Sequence, residues 1–116
     1  LEKSKFPTLP GQGTQTTPFG RNVETAGYPI RICEMMATLE GVAYAERVSV
    51  DSVKNVVAAK KAIKKAFQTQ IDKKGLSIVE VLSTCPTNWG MSPLESLDHV
   101  HNVVMKEFPL GEFRAK

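Results

Sequence analysis

An α/β fold, the second half of a doubly wound three-layer domain, is what the sequence predicts for this chain of 116 residues. Strand-like and helix-like segments alternate from Ile32 to Phe108, an order that builds βαβ units with parallel strands. A helical pattern of about twenty residues separates the two strand-like segments, which suits one right-handed crossover. Two strands make no stable parallel sheet alone, because both faces and both edges need cover. Further sheet is therefore expected from sequence outside this chain. The opening residue is Leu1 rather than Met, as expected of a processed chain or, more readily, of a piece of a longer protein.

Residues 1–28 hold four of the eight glycines, three of the seven prolines and the run Thr14-Gln15-Thr16-Thr17, without apolar periodicity. They are expected to form an irregular arm or loop, and residues 29–116 the half-domain. Pro29 suits the first turn of a helix whose apolar positions are Ile32, Met35 or Met36, and Leu39, with Gly41 as its stop. Val42 to Val48 is short and largely apolar, and is expected to be a strand. Asp51 or Ser49 then caps a long helix with Val53, Val56, Val57, Ile63, Phe67 and Ile71 on its apolar face. Lys73, Lys74 and Gly75 close that helix, the cations sitting at the negative end of its dipole. Leu76 to Leu82 is β-branched and of strand length, and its Ile-Val centre predicts burial on both faces. Ser92-Pro93-Leu94-Glu95 is a capping box for a third helix, with Leu94, Leu97, Val100, Val104 and Phe108, ended by Pro109. The expected piece has two parallel strands and three helices.

Composition narrows the function. Hydrophobic residues make up 41% and charged residues 23%, ordinary for a globular protein. No apolar run approaches the length of a membrane span, and no signal-peptide order is present. The net charge of +3 is mild. Seven lysines gather between Lys54 and Lys74, but Phe67 is the one aromatic among them, which argues against nucleic-acid binding. Lys54, Lys61 and Lys65, with Asp72, fall opposite the valines. They are either a solvated face or a docking patch for an acidic partner.

Most apparent motifs lack their context. Gly11-Gln12-Gly13 has no strand before it and no helix directly after it. His99 and His101 point about 200° apart on a helix and cannot share a metal through it. Asp98, His99 and Ser92 supply triad residue types without a nucleophile elbow, and are expected to be solvent-exposed helix residues. Two cysteines make no disulfide framework, and a cytoplasmic location is expected. Cys33 falls on an amphipathic helix beside Met36 and is expected in the core. Cys85, in Ser83-Thr84-Cys85-Pro86-Thr87-Asn88-Trp89, comes directly after the carboxyl end of the second strand, where open parallel sheets bind ligands. By residue type a lone cysteine is more often a small buried apolar group than a ligand. At this position a thiolate can also join cysteines from elsewhere on a metal or iron–sulfur cluster.

Several stretches together resemble one family. They are Thr16-Thr17-Pro18-Phe19-Gly20-Arg21, Gly41-Val42-Ala43-Tyr44 with Glu46-Arg47, and Lys60-Lys61-Ala62-Ile63-Lys64-Lys65-Ala66-Phe67. Val79-Glu80-Val81-Leu82-Ser83-Thr84-Cys85-Pro86-Thr87-Asn88-Trp89 and Phe108-Pro109-Leu110-Gly111-Glu112-Phe113 complete the set. In this order they resemble the thiamine-diphosphate-binding beta subunit of 2-oxoacid:ferredoxin oxidoreductases, especially the 2-oxoisovalerate and 2-oxoglutarate types. The likeness runs from about Thr8 onward, while Leu1 to Lys5 do not match.

The resemblance implies an enzyme that oxidatively decarboxylates a 2-oxoacid to an acyl-coenzyme A. The thiamine ylid attacks the keto carbon, and electrons leave through a [4Fe–4S] cluster to ferredoxin. It implies thiamine diphosphate, Mg²⁺ and the cluster as cofactors. The implied partners are the N-terminal half of the same subunit, the alpha and other subunits, ferredoxin and coenzyme A. Cys85 resembles the family's fourth cluster ligand. The Gly-Asp-Gly-Asp motif and the Asn that hold Mg²⁺ and diphosphate are not in this chain, nor is the N-terminal Cys-x-x-Cys. No catalytic or thiamine-binding residue is therefore assigned here, and the segment is expected to be inactive by itself. The alternative is a non-enzymatic α/β module docking through the Lys54–Lys65 face.

Overall fold

The computed structural model describes residues 9–116, so Leu1 to Lys5 lie outside the described residues. The sheet has the order β2-β1-β3. Strand β1 (Val42–Ser49) and strand β2 (Leu76–Leu82) run parallel, with Arg47 opposite Glu80 and Val48 opposite Val81. The parallel pair is the one expected from the sequence.

A third strand is added to the expected two: β3 (Gly111–Ala115) lies antiparallel on the other side of β1. Pro109 ends the preceding helix, and an antiparallel return needs only a short connection, so the tail folds straight back. Two basic side chains then fasten it. Arg114 Nη1 donates to the Ala37 carbonyl at 2.7 Å, and Lys116 donates to the Glu40 carbonyl.

The burial of the two parallel strands is the reverse of the expectation for the second. β1, flanked on both sides, is buried at seven of its eight positions, whereas β2 is largely half-exposed. β2 is an edge strand among the described residues, because it hydrogen-bonds to β1 alone.

Helices cover both faces. Helix α1 (Val23–Ala26) is a single turn in the arm, capped by the Asn22 side chain. Helix α2 (Ile32–Ala37) is shorter than the Pro29-to-Leu39 pattern implies. Thr38 Oγ1 donates to the Met35 carbonyl at 2.7 Å, and Pro29 stands three residues before the first turn. Helix α3 (Val53–Ile71) is capped by Ser52, whose Oγ accepts from Asn55 N at 3.2 Å, in place of Asp51 or Ser49. Lys73 carries the positive φ after its C-cap, Asp72. Gly75 meets a different demand: a Cβ there would sit 2.7 Å from the Gly41 carbonyl oxygen, at φ 137°.

After β2 comes the single turn α4 (Pro86–Trp89), then α5 (Pro93–His99) with the expected capping box, Ser92 and Glu95 bonding reciprocally. The expected third helix is not regular. It widens into a π-helical turn over Val100–Val104 before resuming as α6 (Met105–Glu107). Residues four apart on an α-helix drift by about 40°. The wider turn keeps Val100, Val104 and Phe108 on one face, and all three are buried against Leu9 and Leu82. On the other face of the sheet Val48 packs with Ala59 and Ala62 of α3.

The apolar face expected of α3 is not the buried one. Its buried positions are Ala59, Ala62 and Thr69, while Val53, Val57, Ile63, Phe67 and Ile71 are exposed.

A charged centre holds the α2 side of the sheet together. Arg47 of β1 is fully buried, and its guanidinium takes Glu34 of α2 in a fork, at 3.0 and 2.5 Å. Its Nε donates to Glu80 of β2 at 2.8 Å, and Nη1 also donates to the Pro109 carbonyl at 3.1 Å. The rings of Phe108 and Phe113 stand 5.2 and 5.0 Å from the guanidinium carbon. Burial disfavours the guanidinium charge, but Glu34 and Glu80 outweigh it and raise the Arg47 pKa. Nearby, Arg31 donates to the Glu107 carbonyl at 2.6 Å and to its carboxylate at 2.7 Å, a cation closing a helix C-terminus.

Candidate functional site at the carboxyl edge of the sheet

Both parallel strands end on the same edge, where β1 passes through Val50 and Asp51 into α3 and β2 passes through Ser83 and Thr84 to Cys85. Val50 N donates to the Leu82 carbonyl at 3.2 Å, which keeps the two exits side by side. Cys85 is exposed, whereas Cys33 is buried, so the two cysteines part as the alternatives allowed. Cys85 precedes Pro86 as the N-cap residue of α4 and makes no side-chain cap bond. Its carbonyl accepts from Trp89 N at 3.0 Å, closing a tight turn that leaves the sulfur outward.

The Thr-rich arm supports this turn from outside. Thr14 and Thr17 bond reciprocally, Thr14 N to the Thr17 carbonyl at 3.0 Å and Thr17 N to Thr14 Oγ1 at 2.9 Å. The resulting loop docks on α4: Gln15 N donates to the Asn88 carbonyl at 2.8 Å and Thr16 Oγ1 to Asn88 Oδ1 at 3.3 Å. Trp89 packs edge-on against His99, with ring centroids 5.0 Å apart. It also lines a pocket of about 240 Å³ with Ile30, Ile78, Glu80, Ser83 and Phe108. Here Trp89 has a packing role.

The histidines diverge, as their spacing requires. His99, expected at the surface, is partly buried beside Trp89, and burial lowers its pKa. His101 Nδ1 donates to Asp51 Oδ2 at 3.0 Å across the sheet edge. The buried Asp51 carboxylate also accepts from Ser49 Oγ at 2.6 Å and Asn55 Nδ2 at 2.7 Å. Burial pushes its pKa up, but these bonds outweigh that cost and leave it below the ordinary value. Ser92 is occupied as a helix cap, so no triad assembles. Among the described residues no group of three or more His, Cys, Asp or Glu is placed to hold a metal. Cys33, next to Glu80, has its thiol pushed up to about 12, by burial first and then by that carboxyl.

Two constellations escaped the sequence reading: the Arg47 centre and the Asp51–His101 pair. An arginine inside an apolar strand run was the available signal for the first, since a central strand must pair any charge it buries. Of the lysine face, Lys65 pairs with Glu112 and lies 4.8 Å from the Tyr44 ring centroid, while Lys54 and Lys61 are exposed.

These groups set an acid limit. Glu34, hydrogen-bonded by Arg47, titrates below its ordinary 4.5, and Asp51 below its ordinary 3.8. Carboxylates lowered in the fold contribute stability that is complete above those ordinary values and lost as pH falls through the folded ones. His99, lowered from 6.5, is favoured in its neutral form by the fold, so protons bound by the unfolded chain favour unfolding below that pH. Stability is therefore expected to be level above about pH 7, to decline gently below it and to fall steeply under pH ~4.5. Urea midpoints against pH check this, and Asp51→Asn should flatten the steep limb.

Comparison with known proteins finds relatives for this chain. The chain is 41% identical over 107 residues to the ketoisovalerate oxidoreductase subunit VorA of Methanothermobacter thermautotrophicus, covering 92% of this chain and 22% of that protein. It is 40% identical over the same length to VorA of Methanothermobacter marburgensis. It is also 35% identical over 85 residues to the 2-oxoglutarate synthase subunit KorB of Methanocaldococcus jannaschii, covering 69% of this chain and 28% of that protein. No family model and no solved structure matches. The chain is thus similar to part of oxidoreductase subunits. More closely, it is similar to a segment of subunits named for ketoisovalerate oxidoreductase and 2-oxoglutarate synthase, and it spans about a fifth of the length of the VorA relatives. No helix among the described residues is long and apolar enough to cross a membrane.

Proposed function

We propose that this segment is the C-terminal half of the thiamine-diphosphate-binding domain in a cytoplasmic enzyme that oxidises a 2-oxoacid to acyl-coenzyme A and reduces ferredoxin. The branched-chain 2-oxoacid is the preferred substrate, with 2-oxoglutarate next, in keeping with the names of the relatives. The observation that carries the reading is Cys85, exposed at the shared carboxyl edge of the two parallel strands in a chain with these relatives.

The residues present fit the cofactors in part. Cys85 offers one outward sulfur and Cys33 is buried, so this segment supplies one cluster ligand and the remaining three come from the N-terminal part of the subunit. No residue of this chain is assigned to diphosphate or Mg²⁺. When bound, thiamine diphosphate supplies the carbanion chemistry of decarboxylation, and a [4Fe–4S] cluster supplies the outlet for electrons. The chain's own part is positional. Pro86 opens the α4 turn directly after Cys85, and the Thr14–Thr17 loop pins Asn88. Without the other half the segment is inactive.

The test is an assay of the intact complex with 2-oxoisovalerate, 2-oxoglutarate and pyruvate, following coenzyme A-dependent ferredoxin reduction. Turnover with 2-oxoisovalerate at a higher kcat/KM than with 2-oxoglutarate is expected. Selective use of pyruvate would overturn the substrate reading, and no thiamine-dependent turnover with any of the three would overturn the function.

A further inference from the structure

Helix α3 turns small side chains, Ala59, Ala62 and Thr69, to the sheet, and so presents its large ones on the side directly opposite. Val53, Val57, Phe67 and Ile71 stand there, 84%, 47%, 68% and 71% exposed. Lys60, Lys61 and Lys64 fall among them by helical spacing, and all three are exposed. Lys65, on the flank, is paired with Glu112 of β3, but among the described residues no ion pair involves the three lysines of the outer face. Between Ser52 and Gly75 seven lysines stand against one carboxylate, Asp72, which accepts from Gln68 Nε2 at 2.8 Å.

This mixture selects among partners. The core of a permanent protein interface is depleted in lysine, and burying three ammonium groups without counter-charges is costly. A lipid surface takes a helix whose apolar and basic sides are separate, whereas lysines here interrupt the apolar stripe. Nucleic acid needs more stacking surface than one aromatic. Lysines interspersed with a few apolar side chains suit a transient encounter with an acidic protein, in which charge steers the approach and stays hydrated. Size agrees. A helix of 19 residues is about 28 Å long and about 10 Å wide, so its outer face offers a few hundred Å², within the small area of electron-transfer encounters.

Position supplies the reason for such an encounter. Helix α3 leaves the sheet at the carboxyl edge that carries Cys85, and Val50, two residues before the Ser52 cap, bonds to the carbonyl of Leu82, the last residue of β2. A carrier seated on the first turns of α3 therefore approaches the edge from which, on the reading above, electrons leave.

We propose that the outer face of α3 docks the electron acceptor of the enzyme, a small one-electron carrier protein with an acidic surface and a modest apolar patch. Carboxylates of the carrier meet Lys60, Lys61 and Lys64, and its apolar patch meets Val53 and Val57. Each encounter moves one electron to the oxidised carrier. Two encounters complete the two-electron conversion of one 2-oxoacid and one coenzyme A thiol to acyl-coenzyme A, carbon dioxide and a proton. The inference rests on the oxidoreductase reading above and adds where its acceptor protein binds.

The test uses the intact complex with two acceptors, purified ferredoxin and the small dye methyl viologen, which needs no protein docking. In the double variant Lys60→Glu, Lys64→Glu the KM for ferredoxin should rise about tenfold or more at low salt, with kcat/KM for methyl viologen unchanged. Val57→Ser should raise the ferredoxin KM about threefold, and Lys106→Glu, on α6, less than about twofold. Wild-type kcat/KM for ferredoxin should fall as salt rises, and the double variant should flatten that dependence. An unchanged ferredoxin KM, equal losses with both acceptors, or dissociation of the complex in the double variant would each overturn the proposal, the last two by making this face a subunit contact. Direct titration with oxidised ferredoxin separates the two readings. Binding weakened about tenfold by the double variant, in a complex without thiamine-dependent turnover, sinks the functional reading alone, and turnover with ferredoxin binding untouched sinks this inference alone.

Discussion

Cys85→Ser in the intact subunit is expected to lose the iron–sulfur cluster or bind it weakly, and to slow ferredoxin reduction by at least about tenfold, while thiamine diphosphate binding is unchanged. A serine hydroxyl replaces an exposed sulfur that makes no cap bond, so the turn at Pro86 should survive the change. Cys33→Ser is the matched control. Its thiol is buried beside Glu80 and held protonated well above neutral pH, so it offers no thiolate, and iron content should stay at the wild-type level. Iron analysis and the visible absorption of the purified complex read both variants. Normal iron and normal ferredoxin reduction in Cys85→Ser would return Cys85 to a structural role.

The second large effect is on stability. Arg47→Ala should cost about 3–5 kcal/mol, because it removes the hydrogen-bonded counter-charge from two partly buried carboxylates, Glu80 and Glu34, and leaves Glu34 only Arg31 at 3.9 Å. It also leaves the Pro109 carbonyl without its donor and opens a gap between Phe108 and Phe113. Arg47→Lys keeps the charge but cannot reproduce a fork to Glu34 with a simultaneous bond to Glu80, and should lose about half as much. Since a domain has roughly 5–15 kcal/mol in all, the alanine variant should show a large drop in urea midpoint with little change in slope. A loss under about 1 kcal/mol would mean that this centre is not what joins α2, β1, β2 and the C-terminal tail.

Local chemistry made part of this structure readable from sequence. The capping box at Ser92 and Glu95 satisfies its own backbone donors and needs no distant partner, and it appears where the residues place it. The two parallel strands were visible for a related reason: β-branched runs, separated by one helical pattern, leave few topologies open. Cys85 could be placed at the carboxyl edge of the sheet because the end of a strand fixes the position of the next few residues. Whether its sulfur is buried or exposed could not be read, since that depends on how the Pro86–Trp89 turn sits against the Thr14–Thr17 loop, 72 residues away at the Thr16–Asn88 bond.

The sequence by itself determined the α/β class, the parallel pair, the long crossover helix and the family resemblance, because each rests on periodicity, capping or ordered residue identity. Tertiary structure alone decided which faces those elements bury. Periodicity says that α3 has an apolar stripe but not which neighbour will cover it, and among the described residues the sheet takes the alanine face instead. In the same way Arg47, Glu34 and Glu80 become one charged centre, and Asp51 finds His101, only when distant segments meet. Short-range patterns constrain the backbone of one segment, whereas burial and charge pairing are settled by whichever surfaces the completed chain brings into contact.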